Sequence, residues 1–359
     1  MSYSLRLIDL HFHIISVGMI CLLLSACSNS SVIKMSEFNG YAQGTTFHIV
    51  YEKKLNPDSI HLAIEKIFSD IDHSMSLYDT SSLISQVNRM RDTSIMVDRH
   101  FYNVFIISKK IYQASNGAFN PALYPLIKYW GFGAGDMTMP EKTTSSTIDS
   151  LKNLSNFDLF DIMKIGDDYR LIKRNPKLKL DFNGIAQGYT VDVIAEYLES
   201  LQILNYMVEV GGEVRAAGHN QQRKPWRIGI DKPVDPDHPR ELIAIANLQN
   251  QSLATSGNYR KFYVKDGIKF AHTIDPVTGY PVQHSLLSVS FFAPTCAEAD
   301  GYATACMVLG MDKAKELVAR VDNSGIYLIY SDFKGDLQMF MSEGLKQNLQ
   351  MLKGNNALQ

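Results

Sequence analysis

Asp300 and Thr304 stand four residues apart in the small, apolar stretch AEADGYATACMVLG, residues 297–310. This texture predicts a helix packed into a core, and a spacing of four places both side chains on one helix face. Asp is rarely buried without a partner. Two hard oxygens placed together suit Mg²⁺ better than zinc or copper. The alternative is an Asp near the helix N-terminus with a Thr bonded back to a carbonyl of its own helix.

A glycine turn in LDFNGIAQGY, residues 180–189, is the second candidate for chemistry. The sequence predicts a strand over 178–182 that runs into Gly184, followed by a helix over 185–201. Free backbone N–H groups and the positive end of a helix dipole favour a phosphate at such a turn. The alternative is that the glycine serves close packing alone.

His272 opens the stretch HTIDPVTGYPV, residues 272–282. A histidine can serve as a general base near neutral pH, although most single histidines do not. Tyr78 and the WGFG stretch at 130–133 offer aromatic rings that could stack on a ring system or pack the core.

Composition and motifs give no support to several classes of function. The chain has 359 residues, of which 45% are hydrophobic and 20% charged, and its formal net charge is −2. This balance is ordinary for a globular protein and gives no reason to propose a nucleic-acid partner. A P-loop, a dinucleotide-binding glycine motif, a zinc-protease motif and a serine-hydrolase motif are all missing from the sequence.

The N-terminus has the features of a lipoprotein signal. The apolar run IISVGMICLLLSAC ends in Leu-Ser-Ala-Cys at residues 24–27, which resembles a bacterial lipobox with Cys27 as the lipidated residue. We therefore predict a signal peptide at 1–26, a polar tether at 27–39 and lipid anchoring that faces the periplasm. The alternative is ordinary cleavage near Ala26.

Two cysteines, Cys296 and Cys306, remain in the predicted folded part. If the stretch between them is helical, they lie about 15 Å apart along its axis, which argues against a disulfide. Both are predicted to be small buried side chains.

The elements that must position these residues are mixed. Alternation predicts a strand at 45–52, and apolar residues at helical spacing predict a helix at 57–75. A second helix at about 99–115 is closed by Asn116 and Gly117. The second half is richer in strands and contains a hairpin that turns at Gly211 and Gly212. Helices stand between groups of strands, which predicts an α+β fold with largely antiparallel sheets.

The order of eight blocks along the chain resembles the ApbE family of FAD:protein FMN transferases, over residues of about 40 to 330. The blocks are GTTFHIVY, MSLYDTSSLISQVN, GAFNPALYPLIKYWGFG, LDFNGIAQGYTVDVIAEYL, VEVGGEVRAAG, ATSGNYRKFY, HTIDPVTGYPV and EADGYATACMVLG. The resemblance implies a two-lobed, tunnelling-fold-like catalytic domain at 40–345. Residues 346–359 are then predicted to be a polar tail that frays.

The resemblance also implies roles for residues. Mg²⁺ would be bound by Asp300, Thr304 and the carbonyl of Gly184, and His272 would act as the base. The implied contacts of FAD are Gln43, Tyr78, Ala118, Phe119, Asn120, Asp181, Gln187 and Thr273.

The implied reaction is attack by a threonine hydroxyl of an acceptor protein on the FMN-side phosphorus of FAD, with AMP leaving. The family's acceptors include subunits of sodium-pumping NADH:quinone reductases and related electron-transport complexes, so a similar partner is expected. Three positions depart from the family pattern: Gln43 stands for a usual Met, Asn120 for a usual Asp, and Gln187 for a commonly charged residue. These changes bear on FAD affinity rather than on the reaction.

Two other functions fit the same residues. One is a Mg²⁺-dependent FAD pyrophosphatase, in which water takes the place of the threonine. The other is a lipoprotein that binds FAD without turning it over, although storage requires no base.

Overall fold

The computed structural model describes residues 32–133, 140–234, 238–258, 262–265 and 268–352. The chain divides into two units, Met1–Ile33 and Lys34–Gln359, and the fold below is that of the second unit. The predicted signal peptide and Cys27 lie outside the described residues. Among the described helices, none has the length and apolar character needed to span a bilayer.

An eight-stranded antiparallel sheet forms the frame of the fold, in the order β1-β2-β6-β7-β10-β13-β14-β15. Its strands are β1 (Met35–Ala42), β2 (Thr45–Glu52), β6 (Tyr206–Val210), β7 (Glu213–Ala217), β10 (Gln251–Gly257), β13 (Leu286–Ala293), β14 (Gly325–Ser331) and β15 (Leu337–Met341). Every neighbouring pair is antiparallel.

Three smaller sheets flank this frame. The strands β3 (Ser94–Val97), β5 (Asp168–Lys173) and β4 (Phe160–Ile165) form one sheet. The strands β16 (Leu349–Met351), β9 (Leu242–Leu248) and β8 (Trp226–Asp231) form another, and β11 (Phe262–Lys265) pairs with β12 (Ile268–Ala271).

Seven described α-helices pack on these sheets. They are α1 (Pro57–Met75), α2 (Leu83–Arg89), α3 (Arg99–Ala114), α4 (Tyr124–Tyr129), α5 (Ser145–Asn153), α6 (Ala186–Ser200) and α7 (Cys296–Val318). The largest apolar cluster includes Phe101 of α3, Phe291 of β13 and Met307 of α7, all almost fully buried. This architecture confirms the α+β prediction with largely antiparallel sheets.

Local sequence patterns predicted several of these elements correctly. The predicted strand at 45–52 and helix at 57–75 have the predicted bounds. Helix α3 ends before Asn116 and Gly117, whose φ angles of 51° and 82° provide the left-handed turn. The predicted hairpin turns at Gly211 and Gly212, with φ angles of 68° and 107°. Cys296 and Cys306 are buried free thiols, as predicted.

The predicted strand at 178–182 is wrong. These residues have no regular secondary structure and pair with no described strand. Asn88 of α2 takes the place of a neighbouring strand, because its Nδ2 donates to the Leu180 carbonyl at 2.8 Å and its Oδ1 accepts from the Leu180 N–H at 2.7 Å. The next N–H, from Asp181, is donated to the carbonyl of Pro121 at 2.8 Å. Helix α2, which supplies this clamp, was not predicted.

Lys173 supports the same stretch from within the protein. Its side chain is fully buried, and its ammonium group donates to the carbonyls of Val87 at 2.8 Å and Pro176 at 3.0 Å. Burial lowers the pKa of Lys173 to about 8. The ammonium group therefore joins the end of α2 to the chain that leads into residues 178–182.

Both ends of the predicted domain extend further than predicted. Strand β1 begins at Met35, inside the predicted tether at 27–39, because it pairs with β2 along its whole length. The predicted fraying tail is wrong at residues 349–351, which form β16 on β9. Leu349 is buried in an apolar cluster there, so this part of the tail belongs to the core.

Candidate active site

Helices α6 and α7 meet at Gly188 and Asp300. A Cβ atom added at Gly188 would lie 2.4 Å from the Cys296 carbonyl oxygen and 2.8 Å from the Asp300 Cβ, so only glycine allows this approach. The Gly188 N–H donates to Asp300 Oδ2 at 3.1 Å. Asp300 is thereby held in the contact between the two helices.

The three residues predicted to bind a metal lie together. A Cβ atom at Gly184 would lie 3.2 Å from Thr304 Oγ1, and Thr304 follows Asp300 by one turn of α7. Among the described residues, the hydrogen-bond partner of Thr304 is the Ser256 hydroxyl at 3.5 Å, not a carbonyl of its own helix. The alternative of purely local bonding within α7 is therefore wrong.

The electrostatics of Asp300 favour a cation beside it. The residue is 7% exposed. Burial raises the pKa of Asp300 to about 7, and the hydrogen bond from Gly188 offsets part of that rise. An ionised carboxylate in this position costs free energy that a bound cation removes. A carboxylate, a hydroxyl and a nearby backbone turn form a set of hard oxygen ligands of the kind Mg²⁺ accepts.

Asp192 fixes the start of α7 and was missed by the sequence analysis. Thr295, the residue before the helix, provides no side-chain cap. The carboxylate of Asp192, on α6, accepts instead from the N–H groups of Cys296 at 2.9 Å and Ala297 at 2.8 Å. Arg215 of β7 pairs with it at 2.9 Å. The one signal available was an acidic residue within the apolar run TVDVIA.

The stretch that carries His272 is tied to α7 through Asn258. Thr273 Oγ1 donates to Asn258 Oδ1 at 2.6 Å, and Asn258 Nδ2 donates to the Met307 sulfur at 3.0 Å. The ring of His272 lies edge-on to Phe132, with centroids 6.4 Å apart. Asn258 therefore connects this stretch with the helix that holds Asp300.

Gln43 and Tyr78 differ in their surroundings. Gln43 occupies the β1–β2 turn with a φ angle of 52°, and its Nε2 donates to Thr190 Oγ1 of α6 at 3.0 Å. Its Oε1 is buried and has no hydrogen-bond donor among the described residues. Tyr78 is 75% exposed. Its ring is therefore available for stacking, whereas Trp130 of the WGFG stretch is buried and packs the core.

Residues 118–120 lie next to the glycine turn. Ala118 and Phe119 are buried in the largest apolar cluster, and a Cβ at Gly184 would lie 3.5 Å from the Phe119 ring. Asn120 donates to the Ser155 carbonyl at 2.8 Å and accepts from the Ala122 N–H at 2.9 Å. A carboxylate could accept from Ala122 but could not donate to Ser155, which gives the asparagine at this position a structural reason.

Asp181 and Gln187 lie on either side of the glycine turn. Asp181 accepts from the Asn183 N–H at 2.8 Å, and burial raises its pKa to about 6. Gln187 reaches the β6–β7 hairpin, where a Cβ at Gly211 would lie 3.1 Å from its Nε2. The N-terminal turn of α6 thus faces both the proposed metal position and the hairpin.

Gly188→Ala tests the contact between α6 and α7. The added methyl group overlaps backbone atoms of α7, so we expect the free energy of unfolding to fall by about 1–3 kcal/mol and Mg²⁺ binding to weaken. Urea unfolding with and without Mg²⁺ measures both effects. Gly344→Ala is the matched control, since its Cβ would meet nothing within 4 Å. Equal stability of the two variants would contradict the close approach.

Known proteins are similar to this chain in fold and in sequence. The model of the ApbE family matches residues 43–328. An FAD:protein FMN transferase of Haemophilus influenzae is 37% identical over 323 residues, which cover 88% of this chain and 91% of the relative. The flavin transferase ApbE from Vibrio cholerae superposes with a TM-score of 0.77 at 29% identity, covering 88% of this chain and 99% of that one. The apo flavinyl transferase ApbE of Pseudomonas stutzeri gives 0.78 at 28% identity, covering 89% and 98%.

These similarities extend over nearly the whole described fold and include the glycine turn, the hairpin and α7. The chain belongs to the ApbE family.

Proposed function

We propose that this chain is an FAD:protein FMN transferase that requires Mg²⁺ and modifies a threonine of its acceptor. The observation that carries the proposal is the convergence of Gly184, from the glycine turn, with Asp300 and Thr304, from α7. The flavin transferase activity is that of the similar proteins. The metal is inferred from the oxygen ligands of the site, and the threonine and the release of AMP are what the resemblance to the family implies.

Asp300 and Thr304, with the backbone carbonyl of Gly184, are the residues proposed to hold Mg²⁺. When bound, the ion would neutralise the pyrophosphate of FAD and stabilise charge on the leaving phosphate. The N–H groups of Ile185 and Ala186 are donated to the Phe182 carbonyl, so what the start of α6 adds is the positive end of its helix dipole, which favours a phosphate at the same place. The rest of FAD is proposed to contact the residues that the resemblance implies, namely Gln43, Tyr78, residues 118–120, Asp181, Gln187 and Thr273.

The proposed step is a transfer of a phosphoryl-type group. The threonine Oγ forms a bond to the FMN-side phosphorus, the bond from that phosphorus to the bridging oxygen breaks, and AMP leaves with the bridging oxygen. His272 accepts the proton of the threonine hydroxyl. Such a transfer depends mainly on positioning and charge stabilisation, so one base and a few fixed oxygens suffice.

Lipid anchoring at Cys27 is proposed from the sequence signal alone. It would tether the domain at the membrane surface, facing the periplasm, where a domain of an electron-transport complex could meet it. The expected acceptor is a subunit of a sodium-pumping NADH:quinone reductase or a related complex.

The test is transfer of flavin to a protein. The portion that follows Cys27 is incubated with FAD, Mg²⁺ and the soluble acceptor domain of such a subunit. The acceptor is then examined for flavin fluorescence on a denaturing gel, and AMP and free FMN are assayed. We expect a fluorescent acceptor that is lost with a chelator or when its target threonine is replaced by alanine. Release of FMN and AMP with a dark acceptor would instead establish hydrolysis, and FAD bound but unchanged would establish a binding protein.

A further inference from the structure

A cleft of about 410 Å³ opens between α4, α5 and residues 177–179. Its floor is formed by apolar and aromatic side chains, namely Tyr124, Tyr129, Leu151 and Leu154. Its rim carries three lysines, Lys128, Lys177 and Lys179. None of the functions assigned above uses these residues.

The positive charge of the rim is not neutralised by the described residues. No carboxylate lines the cleft, and within the described ranges none of the three lysines forms an ion pair. Lys179 lies with its Nζ 5.6 Å from the centroid of the Tyr124 ring. Burial, with the nearby charge of Lys128, lowers the pKa of Lys179. Two of the ammonium groups therefore repel each other, and a negative partner would relieve that repulsion.

The cleft lies close to two of the stretches that contribute to the candidate active site. Lys179 precedes Asp181 by two residues, and Asp181 donates its N–H to Pro121, just before α4. On the other side, a Cβ at Gly279 would lie 2.5 Å from Ile148 of α5, so this helix packs on the stretch that begins with His272. A chain bound in the cleft would therefore lie beside the stretch that leads to the glycine turn and beside a helix that packs on the His272 stretch.

We propose that this cleft docks an acidic, partly apolar segment of the acceptor protein. The inference rests on the proposed function, because it assigns a surface to the acceptor that the transferase modifies. Lysines on an exposed rim act as point charges that attract carboxylates, and the leucine and tyrosine floor receives apolar side chains. Specific binding of a small phosphate ligand would instead call for polar groups that converge within the cleft, and the floor side chains are apolar apart from two tyrosine hydroxyl groups.

Reversal of the rim charges tests the proposal. The variant combines Lys128→Glu, Lys177→Glu and Lys179→Glu, and a second variant with glutamine at the same positions avoids new repulsion if the first fails to fold. The matched control combines Lys53→Glu, Lys313→Glu and Lys334→Glu, three exposed lysines outside the cleft. The KM for the acceptor domain, the kcat at saturating acceptor and the affinity for FAD are measured at two salt concentrations.

We expect the KM for the acceptor to rise about tenfold or more in the cleft variant, with less dependence on salt, while kcat and FAD affinity stay unchanged. An oligomer of alternating Glu and Leu should compete with the acceptor in the wild type, and an oligomer of Lys and Leu should not. Equal KM values in the cleft and control variants would overturn the proposal. A selective loss of FAD affinity would assign the cleft to the nucleotide and also overturn it.

Two further measurements separate this proposal from others. Binding of the labelled Glu-Leu oligomer, followed by fluorescence anisotropy, does not depend on turnover. If the wild type transfers no flavin yet binds the oligomer through the cleft, the proposed function fails and the docking surface stands. If the cleft variant loses binding to vesicles containing phosphatidylglycerol but keeps its KM for the acceptor, the partner is a membrane surface and the proposal is wrong.

Discussion

Replacement of Asp300 by asparagine should abolish Mg²⁺-dependent flavin transfer, with a loss of at least about 10³-fold in kcat/KM. Asparagine keeps the size of the side chain and can still accept the hydrogen bond from Gly188. It removes the negative charge that a cation requires. The measurement is the initial rate of acceptor flavinylation over a range of Mg²⁺ concentrations. Unchanged turnover at limiting Mg²⁺ would contradict the assignment of Asp300 as a Mg²⁺ ligand.

The dependence of stability on pH and Mg²⁺ tests the role of Asp300 without a measurement of turnover. Because burial raises the pKa of Asp300 from 3.8 to about 7, the folded protein holds this proton more tightly than the unfolded chain. The free energy of unfolding of the metal-free protein should therefore fall as the pH rises from 3.8 to about 7, by up to about 4 kcal/mol from this group. Mg²⁺ should restore stability at pH 8 in the wild type but not in Asp300→Asn.

Asp181→Asn is the matched control for these measurements. This residue is another buried carboxylate in the candidate site, and its pKa is also raised by burial. It is proposed as a contact of FAD and not as a metal ligand. Its substitution should weaken FAD binding and leave the response of the melting temperature to Mg²⁺ intact.

Replacement of His272 by alanine should lower kcat by about 10²–10⁴-fold while FAD affinity and the stabilisation by Mg²⁺ remain. The residue is proposed to accept one proton and to hold neither the metal nor the flavin. Single-turnover transfer from prebound FAD measures the chemical step directly.

His219→Ala is the control for this substitution, because its ring is bonded to Gln249 at 2.9 Å in a loop that follows β7. It should leave the single-turnover rate unchanged. If His272→Ala transfers flavin at the rate of the wild type, the histidine is not the base. If it loses FAD binding instead, its role is in positioning the nucleotide.

Local patterns in the sequence were sufficient for most of the frame. The α1 helix and β2 strand follow from apolar periodicity, and the hairpin after β6 follows from paired glycines. These elements bury one face against a core, so the spacing of their apolar side chains indicates whether each is a helix or a strand. The proximity of Asp300 and Thr304 was predicted for the same reason. Their approach to Gly184 was implied only by the resemblance to a family.

Interactions between distant residues account for what was missed. The stretch at 178–182 has the composition of a strand, but its hydrogen bonds go to the Asn88 side chain, 92 residues away. Asp192 caps a helix that begins 104 residues later. Neither pairing leaves a periodic signal in the chain, because each depends on the packed arrangement of α2, α6 and α7.

The bidentate contact of Asn88 gives the glycine turn a support that does not come from the eight-stranded sheet. Asp300 and Thr304 lie on α7, whereas Gly184 follows a stretch whose Leu180 amide and carbonyl are both bonded to the Asn88 side chain. Leu178, Leu180 and Phe182 are buried in the largest apolar cluster, so packing and this contact together fix the stretch. The position of the glycine turn relative to α7 therefore depends on a side chain of α2, a helix that supplies none of the proposed metal ligands.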